Sequence, residues 1–256
     1  MENLKIIIVT QARVGSSRFP EKVLKPIAET TMLGMHLERL NRSKRANKII
    51  VATTFEEKST EIISIAENCG AAAFQGSTND VLDRFYQAVL QDLPDIVIRV
   101  TSDCPLIDAS IIDNVVDLLI KNNLDYAANI LVESYPDGQD VEVFTFKALE
   151  TAWEKAIVPS DREHVTPYMR KNCDFNDGKI FKAQNLYAPK NYNAIRMTVD
   201  EPSDLIAVKI LVENLGSDKS WLDYAKFIEA NVNSLTNQEI IRNEGYKKSL
   251  IQDNNE

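Results

Sequence analysis

The sequence predicts an α/β fold built on a mostly parallel sheet flanked by helices. Short runs rich in β-branched residues alternate with helical patterns along the first half of the chain, which is typical of strand–helix–strand units. A continuous apolar run over residues 4–9 comes before them, as expected of a strand that is buried on both faces. The remaining strands of this half are expected at 48–53, 71–74, 96–100 and 125–130.

Helices are expected between these strands because apolar residues recur there at spacings of three and four. Cys69 lies on one such apolar stripe and His36 lies within another, so both are assigned to structure rather than to chemistry. Asp108 precedes the last of these helices and is expected to cap its N-terminus. The four helices are expected at 31–43, 57–68, 79–91 and 109–122.

The pattern changes after Asn129. A turn-rich stretch at 134–139 leads into the alternating Val141, Val143 and Thr145, which predicts an inserted hairpin or strand pair. We therefore expect a single domain over residues 1–256 with an inserted segment at about 131–190. The later elements are expected to be helices at 146–156 and 161–171, a strand at 179–183, a return to the main sheet at 195–199, a mostly helical C-terminal third and a polar tail from Gln252.

Composition excludes several classes of protein. The 256 residues include 44% hydrophobic and 26% charged residues, with no long apolar run and no signal-like N-terminus, so we expect a cytoplasmic protein without a membrane span. A net charge of −9 repels the phosphates of nucleic acid, which argues against a polynucleotide partner. The cysteines are odd in number and lack paired spacing, so neither a disulfide framework nor a zinc site is expected. They are Cys69, Cys104 and Cys173.

The loop after the first strand combines small residues with three cations. Parallel sheets bind ligands beyond the carboxyl ends of their strands, so this loop is placed for binding. Small residues let backbone N–H groups approach phosphate oxygens, and the cations can neutralise a triphosphate. The loop lacks the glycine-lysine-serine sequence of a P-loop, and the alternative interpretation is a solvated basic loop. The residues concerned are Gly15, Ser16, Ser17, Arg13, Arg18 and Lys22.

Two aspartates follow expected strand ends about a hundred residues apart. Asp103 leaves the strand at 96–100, and Asp200 precedes a helix that starts with proline. Mg²⁺ is usually held by one or two carboxylates together with phosphate oxygens, so the pair could share one metal ion. Each also has a structural alternative, since Asp103 could form a turn before Pro105 and Asp200 could favour a helix N-terminus.

Two polar segments at 137–142 and 160–166 suit recognition of a hydroxylated, anionic acceptor. Part of each has a structural alternative: Asp137 and Gly138 could form a hairpin turn, and Ser160 with Glu163 matches a capping box. No serine or cysteine partner can be assigned to His164 for a hydrolytic triad, so we expect this histidine to contact substrate.

These motifs together resemble the spore coat polysaccharide type of cytidylyltransferase, a relative of the synthetases that activate Kdo and sialic acids with CMP. The resemblance covers nearly the whole chain in seven blocks. They are QARVGSSRFPEK at 11–22, GS at 76–77 with DVLDRF at 80–85, SDCPLID at 102–108, DGQDVEV at 137–143, SDREHVT at 160–166, RMTVDEPSD at 196–204 and RNEGY at 242–246.

The resemblance implies a Rossmann-like nucleotidyltransferase fold, CTP as donor, Mg²⁺ as cofactor and a homodimer in which the inserted segment helps to cover the acceptor site. Carried over residue by residue, it implies four groups of site residues. The triphosphate would be held by Arg13, Ser17, Arg18 and Lys22; the nucleotide site would include Ala12, Gly15, Ser16, Gly76, Asp80 and Arg84, with Ala52 and Thr53 close to the base; the metal would bind Asp103 and Asp200; and the acceptor site would include Gln139, Asp140, Glu142, Arg162 and His164.

Two positions depart from the family pattern. Glu21 stands where a glycine is common after the loop proline, and Ser102 stands where a glycine often precedes the aspartate. Glu21 brings a negative charge close to the expected triphosphate.

The residues and the resemblance together predict transfer of CMP from CTP to an acidic sugar or a sugar phosphate, with release of pyrophosphate, for surface polysaccharide or glycan biosynthesis. Arg13, Arg18, Lys22 and Asp103 are the expected catalytic residues. A glycosyltransferase of related fold is the alternative, although a loop suited to a free triphosphate argues against it. A catalytically silent nucleotide sensor ranks third, because both metal carboxylates are present.

Overall fold

A seven-stranded mixed sheet forms the centre of the computed structural model, which describes residues 4–16, 18–232, 235, 237, 238, 242, 249–251 and 253. Strands of the sheet run in the order β5-β4-β1-β6-β8-β7-β9, and β2 and β3 form a separate two-stranded ribbon. The strands are β1 (Ile6–Gln11), β2 (Pro26–Ile27), β3 (Thr30–Thr31), β4 (Lys48–Thr53), β5 (Ala72–Gln75), β6 (Ile96–Thr101), β7 (Tyr126–Ala128), β8 (Glu142–Thr145) and β9 (Ala183–Asn185).

Helices cover both faces of the sheet, which confirms the predicted α/β architecture. Polar side chains cap several of them; for example, Thr31 accepts from the N–H of Gly34, Asp80 from that of Asp83, and Asp108 from that of Ser110, as expected for Asp108. Within the described residues the helices are α1 (Met32–Leu40), α2 (Ser59–Asn68), α3 (Val81–Leu90), α4 (Ala109–Asn122), α5 (Phe146–Lys155), α6 (Pro159–His164), α7 (Pro167–Lys171), α8 (Pro202–Leu215) and α9 (Trp221–Ala230). None of the helices in the described ranges is long and apolar enough to cross a membrane.

The parallel half of the sheet explains the continuous apolar run at the start of the chain. Along β1, Ile6 and Ile8 belong to the core on one face, while Ile7 and Val9 belong to the core on the other. Both faces are covered by helices, so every position of the strand is apolar.

Strand order reverses beside β1. β1 pairs in parallel with β4 on one side and with β6 on the other, and the chain extends outward from β4 to β5. Such a reversal opens a crevice at the carboxyl ends of the two central strands, which is where open α/β sheets bind ligands. The loops that follow β1 and β6 border this crevice.

The strand expected after the turn-rich stretch is present and pairs antiparallel with the strand before it, but it lies within the main sheet. Residues 142–145 form β8, which enters the main sheet antiparallel between β6 and β7 and pairs Arg99 of β6 with Glu142. Val143 and Phe144 are both fully buried, on opposite faces of the sheet. The alternation of apolar and other residues therefore marks a strand buried on both faces rather than a half-exposed hairpin.

Two further elements differ from expectation. Residues 195–199 do not form a strand, because they pair with residues of the segment around Asp137 through a single isolated bridge, between Arg196 and Asp137. The helix expected at 161–171 is divided into α6 and α7, since Val165 adopts a left-handed φ of 71° and Pro167 starts the second helix. The proposed capping box of Ser160 and Glu163 is also absent, because α6 begins at Pro159.

Cys69 and His36 pack within the fold, as expected. Cys104 and Cys173 are buried, Cys69 packs at the edge of the core, and none forms a disulfide. His36 is fully buried, with Nε2 3.0 Å from the Thr10 hydroxyl and Nδ1 2.9 Å from the Cys104 carbonyl. The imidazole thereby ties β1 to the loop that carries Asp103.

Candidate active site

A cleft of about 670 Å³ opens at the carboxyl ends of β1 and β6. One end is bordered by the loop after β1, which carries Arg13, Ser16, Arg18 and Lys22, and the other by α6 and α7. Between them the floor is formed by residues 99–104 at the end of β6. The position agrees with the strand-order reversal, so the fold itself places a binding site here.

A lysine between two carboxylates forms the centre of the cleft. Lys22 Nζ donates to Asp103 Oδ2 at 3.0 Å, to Asp200 Oδ1 at 2.9 Å and to the backbone carbonyl of Val199 at 2.8 Å. The lysine side chain is only 11% exposed. The predicted juxtaposition of Asp103 and Asp200 is therefore present, with the Lys22 ammonium as their shared partner.

The charges of this centre hold one another ionised. Burial alone raises the pKa of Asp103, but the Lys22 charge together with hydrogen bonds from Thr101, Lys22 and Cys104 outweighs it, so the pKa lies below its usual value. The reverse holds for Lys22, whose pKa is lowered by burial and raised more strongly by Asp103 and Asp200. Both groups are thus charged at neutral pH.

Two arginines complete the surroundings of Asp200. Arg18 contacts Asp200 Oδ1 at 2.9 Å from the solvent side. Arg196 is almost fully buried and bridges Asp200 Oδ2 at 3.3 Å, Asp137 Oδ2 at 2.7 Å and Asp204 Oδ1 at 2.8 Å. Asp204 in turn caps α8 together with Glu201. The segment at 195–204 therefore serves the site through its side chains and not through a strand.

The loop after β1 supports part of the phosphate-binding prediction. Arg13 is exposed at the cleft, and Gly15 N–H lies 3.4 Å from the carboxylate of Glu56. This amide therefore faces an anionic side chain of the protein itself. Ser16 and the buried Ala12 line the cleft, and Ser17 lies outside the described residues.

The two departures from the family pattern have physical explanations. Glu21 adopts a left-handed φ of 58°, a conformation that glycine adopts without strain. Its carboxylate is 2.5 Å from Lys58 Nζ, which balances the added charge. The Ser102 hydroxyl donates to the carbonyl of Gln11 at 2.6 Å and so links the ends of β6 and β1.

The expected nucleotide pocket is only partly present. Arg84 lines the cleft, where burial first and the charge of Arg13 second lower its pKa to about 10. Gly76 lies beside it: an added Cβ would come within 2.9 Å of the Arg84 side chain. Ala52 and Thr53 are fully buried and do not line the cleft, so their place close to the base stays a prediction.

The acceptor prediction divides into residues that reach the cleft and residues that do not. Asp140, Glu142 and His164 line it. Gln139 is fully buried, and its amide bonds the backbone of residues 106 and 108. Arg162 bonds Asp80 at 2.7 Å and two backbone carbonyls outside the cleft. Both are therefore structural, because their polar groups satisfy buried backbone or a helix cap rather than a ligand.

The sequence analysis missed two arginines on the acceptor side. Arg99 of β6 and Arg170 of α7 both line the cleft. Arg99 forms a charged pair with Glu142 across the β6–β8 register. An arginine inside an otherwise apolar run, IVIRVT at 96–101, is the signal that could have revealed this site.

The carboxylate pair fits a divalent cation that is completed by a ligand. An ammonium held by two carboxylates stands in for a metal cation, and the oxygen donors of Asp103 and Asp200 suit Mg²⁺. Among the described residues no group of three or more His, Cys, Asp or Glu side chains could hold a metal ion. Mg²⁺ with few protein ligands normally takes its remaining oxygens from phosphate and water.

Comparison with known proteins points to one family. A family described as cytidylyltransferase matches residues 6–241. The chain is 28% identical over 243 residues to the spore coat polysaccharide biosynthesis protein SpsF of Bacillus subtilis, a match that covers 91% of this chain and 98% of that protein. It is 35% identical over 198 residues to an 8-amino-3,8-dideoxy-manno-octulosonate cytidylyltransferase of Shewanella sp. strain W3-18-1, covering 72% and 74%. A solved cytidylyltransferase from Leptospira borgpetersenii superposes with a TM-score of 0.86 at 33% identity, covering 94% and 100%.

Proposed function

The chain belongs to the cytidylyltransferase family and is a CTP-dependent nucleotidyltransferase, and we propose that it transfers CMP from CTP to an acidic sugar or a sugar phosphate with release of pyrophosphate. The observation that carries the proposal is the cation held between Asp103 and Asp200 at the strand-order reversal. A carboxylate pair of this kind beside a loop of cations is suited to a metal-bound triphosphate.

The donor end of the cleft is positively charged. Arg13, Arg18, Lys22 and Arg84 line it, and their charges would hold the triphosphate and stabilise the departing pyrophosphate. Asp103 and Asp200 would hold Mg²⁺, which when bound neutralises charge at the phosphate that is attacked. Lys22 would then turn from the carboxylates to the phosphates, because the metal and the ammonium compete for the same oxygens.

The acceptor end of the cleft would orient the acceptor molecule and take up the proton of an attacking hydroxyl group. A carboxylate or phosphate oxygen attacks in line without a base, whereas a hydroxyl must lose its proton. Asp137 lines the cleft, and burial first and the charge of Asp140 second raise its pKa to about 7. We therefore propose Asp137 as the proton acceptor for a hydroxyl nucleophile, since a base acts best near the working pH.

The product would be a CMP-activated sugar for surface polysaccharide or glycan synthesis. This role is supported by the printed name of the Bacillus subtilis relative, which refers to spore coat polysaccharide. A homodimer and a cytoplasmic location are parts of the same proposal. Size-exclusion chromatography with light scattering tests the dimer.

Pyrophosphate release tests the proposed reaction. The protein with Mg²⁺ should release pyrophosphate from CTP, and not from UTP, ATP or GTP, when an acidic sugar or sugar phosphate is present. Asp103→Asn and Arg18→Ala should each lower turnover by at least about 100-fold with unchanged circular dichroism, since each removes charge stabilisation of the phosphates. Release of a nucleoside diphosphate from a nucleotide-sugar would instead support the glycosyltransferase alternative.

A further inference from the structure

Described residues of the C-terminal segment contact the walls of the cleft at several points. Gln238 exchanges two hydrogen bonds with the backbone of Arg196: its Nε2 donates to the carbonyl at 3.1 Å, and its Oε1 accepts from the N–H at 2.9 Å. At the acceptor end, the Ser249 hydroxyl lies 2.6 Å from His164 Nε2. Arg242 lies between these two contacts in the sequence. The end of the chain is therefore part of the structure that surrounds the site.

Arg242 is held in one orientation by groups from the segment between β7 and β8. It begins the last of the seven sequence blocks, of which residues 243–246 lie outside the described residues. Its side chain is 11% exposed. Nη2 donates to Asp140 Oδ1 at 2.5 Å, Nη1 donates to the backbone carbonyl of Tyr135 at 3.2 Å, and Nε lies 3.7 Å from Asp137 Oδ1. Because the guanidinium is planar, these partners fix its position relative to the two aspartates.

Asp140 depends on this guanidinium for its charge. Its side chain is 29% exposed and lines the cleft. Among the described residues, Arg242 is its only ion-pair partner. Burial raises the pKa of Asp140, the charge of Arg242 lowers it, and three nearby carboxylates raise it again, those of Glu133, Glu142 and Asp103. Without Arg242, repulsion by these carboxylates would favour a protonated or displaced Asp140.

The geometry leaves one oxygen of this carboxylate for a ligand. Arg242 bonds Oδ1 of Asp140, and Oδ2 has no hydrogen-bond partner within the described part of the chain. An ionised carboxylate oxygen is an acceptor only, so it suits the hydroxyl donors of a sugar. Hydrogen bonds of this kind are strong because the acceptor is charged.

We propose that Arg242 is a positioning residue of the acceptor end, which holds the Asp140 carboxylate where Oδ2 accepts hydrogen bonds from hydroxyl groups of the acceptor. The inference rests on the proposed CMP transfer to a hydroxylated acceptor. Arg242 does not line the cleft itself. It therefore acts on the acceptor through Asp140.

Arg242→Gln, Asp140→Asn and the double variant test this assignment with 3-deoxy-manno-octulosonate, N-acetylneuraminate and a set of sugar phosphates. Assays at a pH well above 7 keep Asp137 ionised. In each single variant the acceptor KM should rise about 10- to 100-fold, the range expected for losing a hydrogen bond to a charged group, with kcat and the KM for CTP nearly unchanged. In the double variant it should rise no further, because both changes remove one interaction. Arg242→Lys should recover part of the loss, since it restores the charge.

The control variant is Arg45→Gln, which removes an exposed arginine that pairs with Asp117 away from the cleft and should keep wild-type kinetics. Circular dichroism checks the folding of each variant. If Arg242→Gln does not fold, Asp140→Asn decides, and an unchanged acceptor KM in that variant would overturn the assignment. Calorimetric titration with each acceptor, in the presence of CTP and without metal, measures binding apart from turnover.

The outcomes separate this assignment from the proposed reaction. Equal acceptor affinity in the wild type and Arg242→Gln, effects that multiply in the double variant, or an equal rise in the KM for CTP would overturn the assignment while CMP transfer stands. Acceptor binding that depends on Arg242, without any CTP consumption, would support the assignment and refute the proposed reaction. Failure of the wild type to bind any member of the panel would overturn both.

Discussion

Replacing Lys22 by methionine tests whether the central cation stabilises the fold as well as the reaction. Methionine has a similar length and volume, so the change removes the charge while filling much of the same space. In the folded protein the ammonium makes two bonds to carboxylates and one to a backbone carbonyl. The substitution removes all three.

The size of the effect follows from what remains around each carboxylate. Asp200 keeps Arg18 and Arg196 as partners, so its charge stays compensated. Asp103 loses its only ion-pair partner among the described residues, and its side chain is 27% exposed. Leaving a buried carboxylate unpaired costs about 3–5 kcal/mol. Because Asp103 is partly exposed, we expect the lower end, a loss of about 3 kcal/mol at neutral pH.

Urea denaturation followed by circular dichroism, with and without Mn²⁺, provides the assay. Mn²⁺ at about 100 times its Kd should return about 2.7 kcal/mol to Lys22→Met, whereas the wild type should gain little because its own ammonium occupies the carboxylates. Lys58→Met is the matched control, since Lys58 forms only an exposed pair with Glu21. A loss below about 1 kcal/mol, the size expected of an exposed ion pair, or an equal response of both proteins to Mn²⁺, would refute the reasoning.

Two further variants test the stability of the fold rather than the reaction. Burial lowers the pKa of His36 from 6.5 to about 4, so its neutral form stabilises the fold above pH 6.5 and up to about 3 kcal/mol is lost as the pH falls from 6.5 to 4. His36→Gln should flatten the dependence of the urea midpoint on pH over this interval, and an unchanged slope would contradict the assignment. At Gly138 the φ is 99° and an added Cβ would lie 2.6 Å from the backbone nitrogen of Thr198, so Gly138→Ala should cost about 2–3 kcal/mol. Gly70→Ala is the control, with a φ of 75° and open space around the added carbon; a similar fall of Tm in both variants would show that backbone strain, not the contact, sets the cost.

Much of the donor end could be predicted from the sequence because its residues follow strand ends directly. Lys22, Asp103 and Asp200 belong to segments that leave or approach the sheet edge, and parallel topology brings such segments together. The polar residues stand beside apolar runs that define the strands. At the donor end, the position of a residue directly after a strand is therefore enough to predict where it lies in the fold.

The acceptor end could not be predicted in the same way, because its residues meet through non-local pairing. Nothing in residues 142–145 indicates that they enter the sheet beside β6, since an alternating strand can pair with any exposed edge. Without that pairing, Arg99 is one charge within an apolar strand. Similarly, the polarity of Gln139 and Arg162 does not reveal that Gln139 hydrogen-bonds to the backbone and that Arg162 donates to Asp80.

The entry of β8 into the main sheet has a consequence for how the two substrates are held. Arg99 lies within β6, and Asp103 lies in the turn that follows the last residue of the strand, Thr101. Hydrogen bonds to β1 hold the strand as far as Thr101, and the pairing with β8 holds it as far as Arg99. β6 therefore fixes the position of the acceptor end of the cleft, at Arg99, relative to the donor end, at Asp103. An inserted residue between Arg99 and Asp103 would shift the acceptor end of the cleft relative to the donor end. The reacting atoms would then be misplaced even if each end of the cleft remained intact.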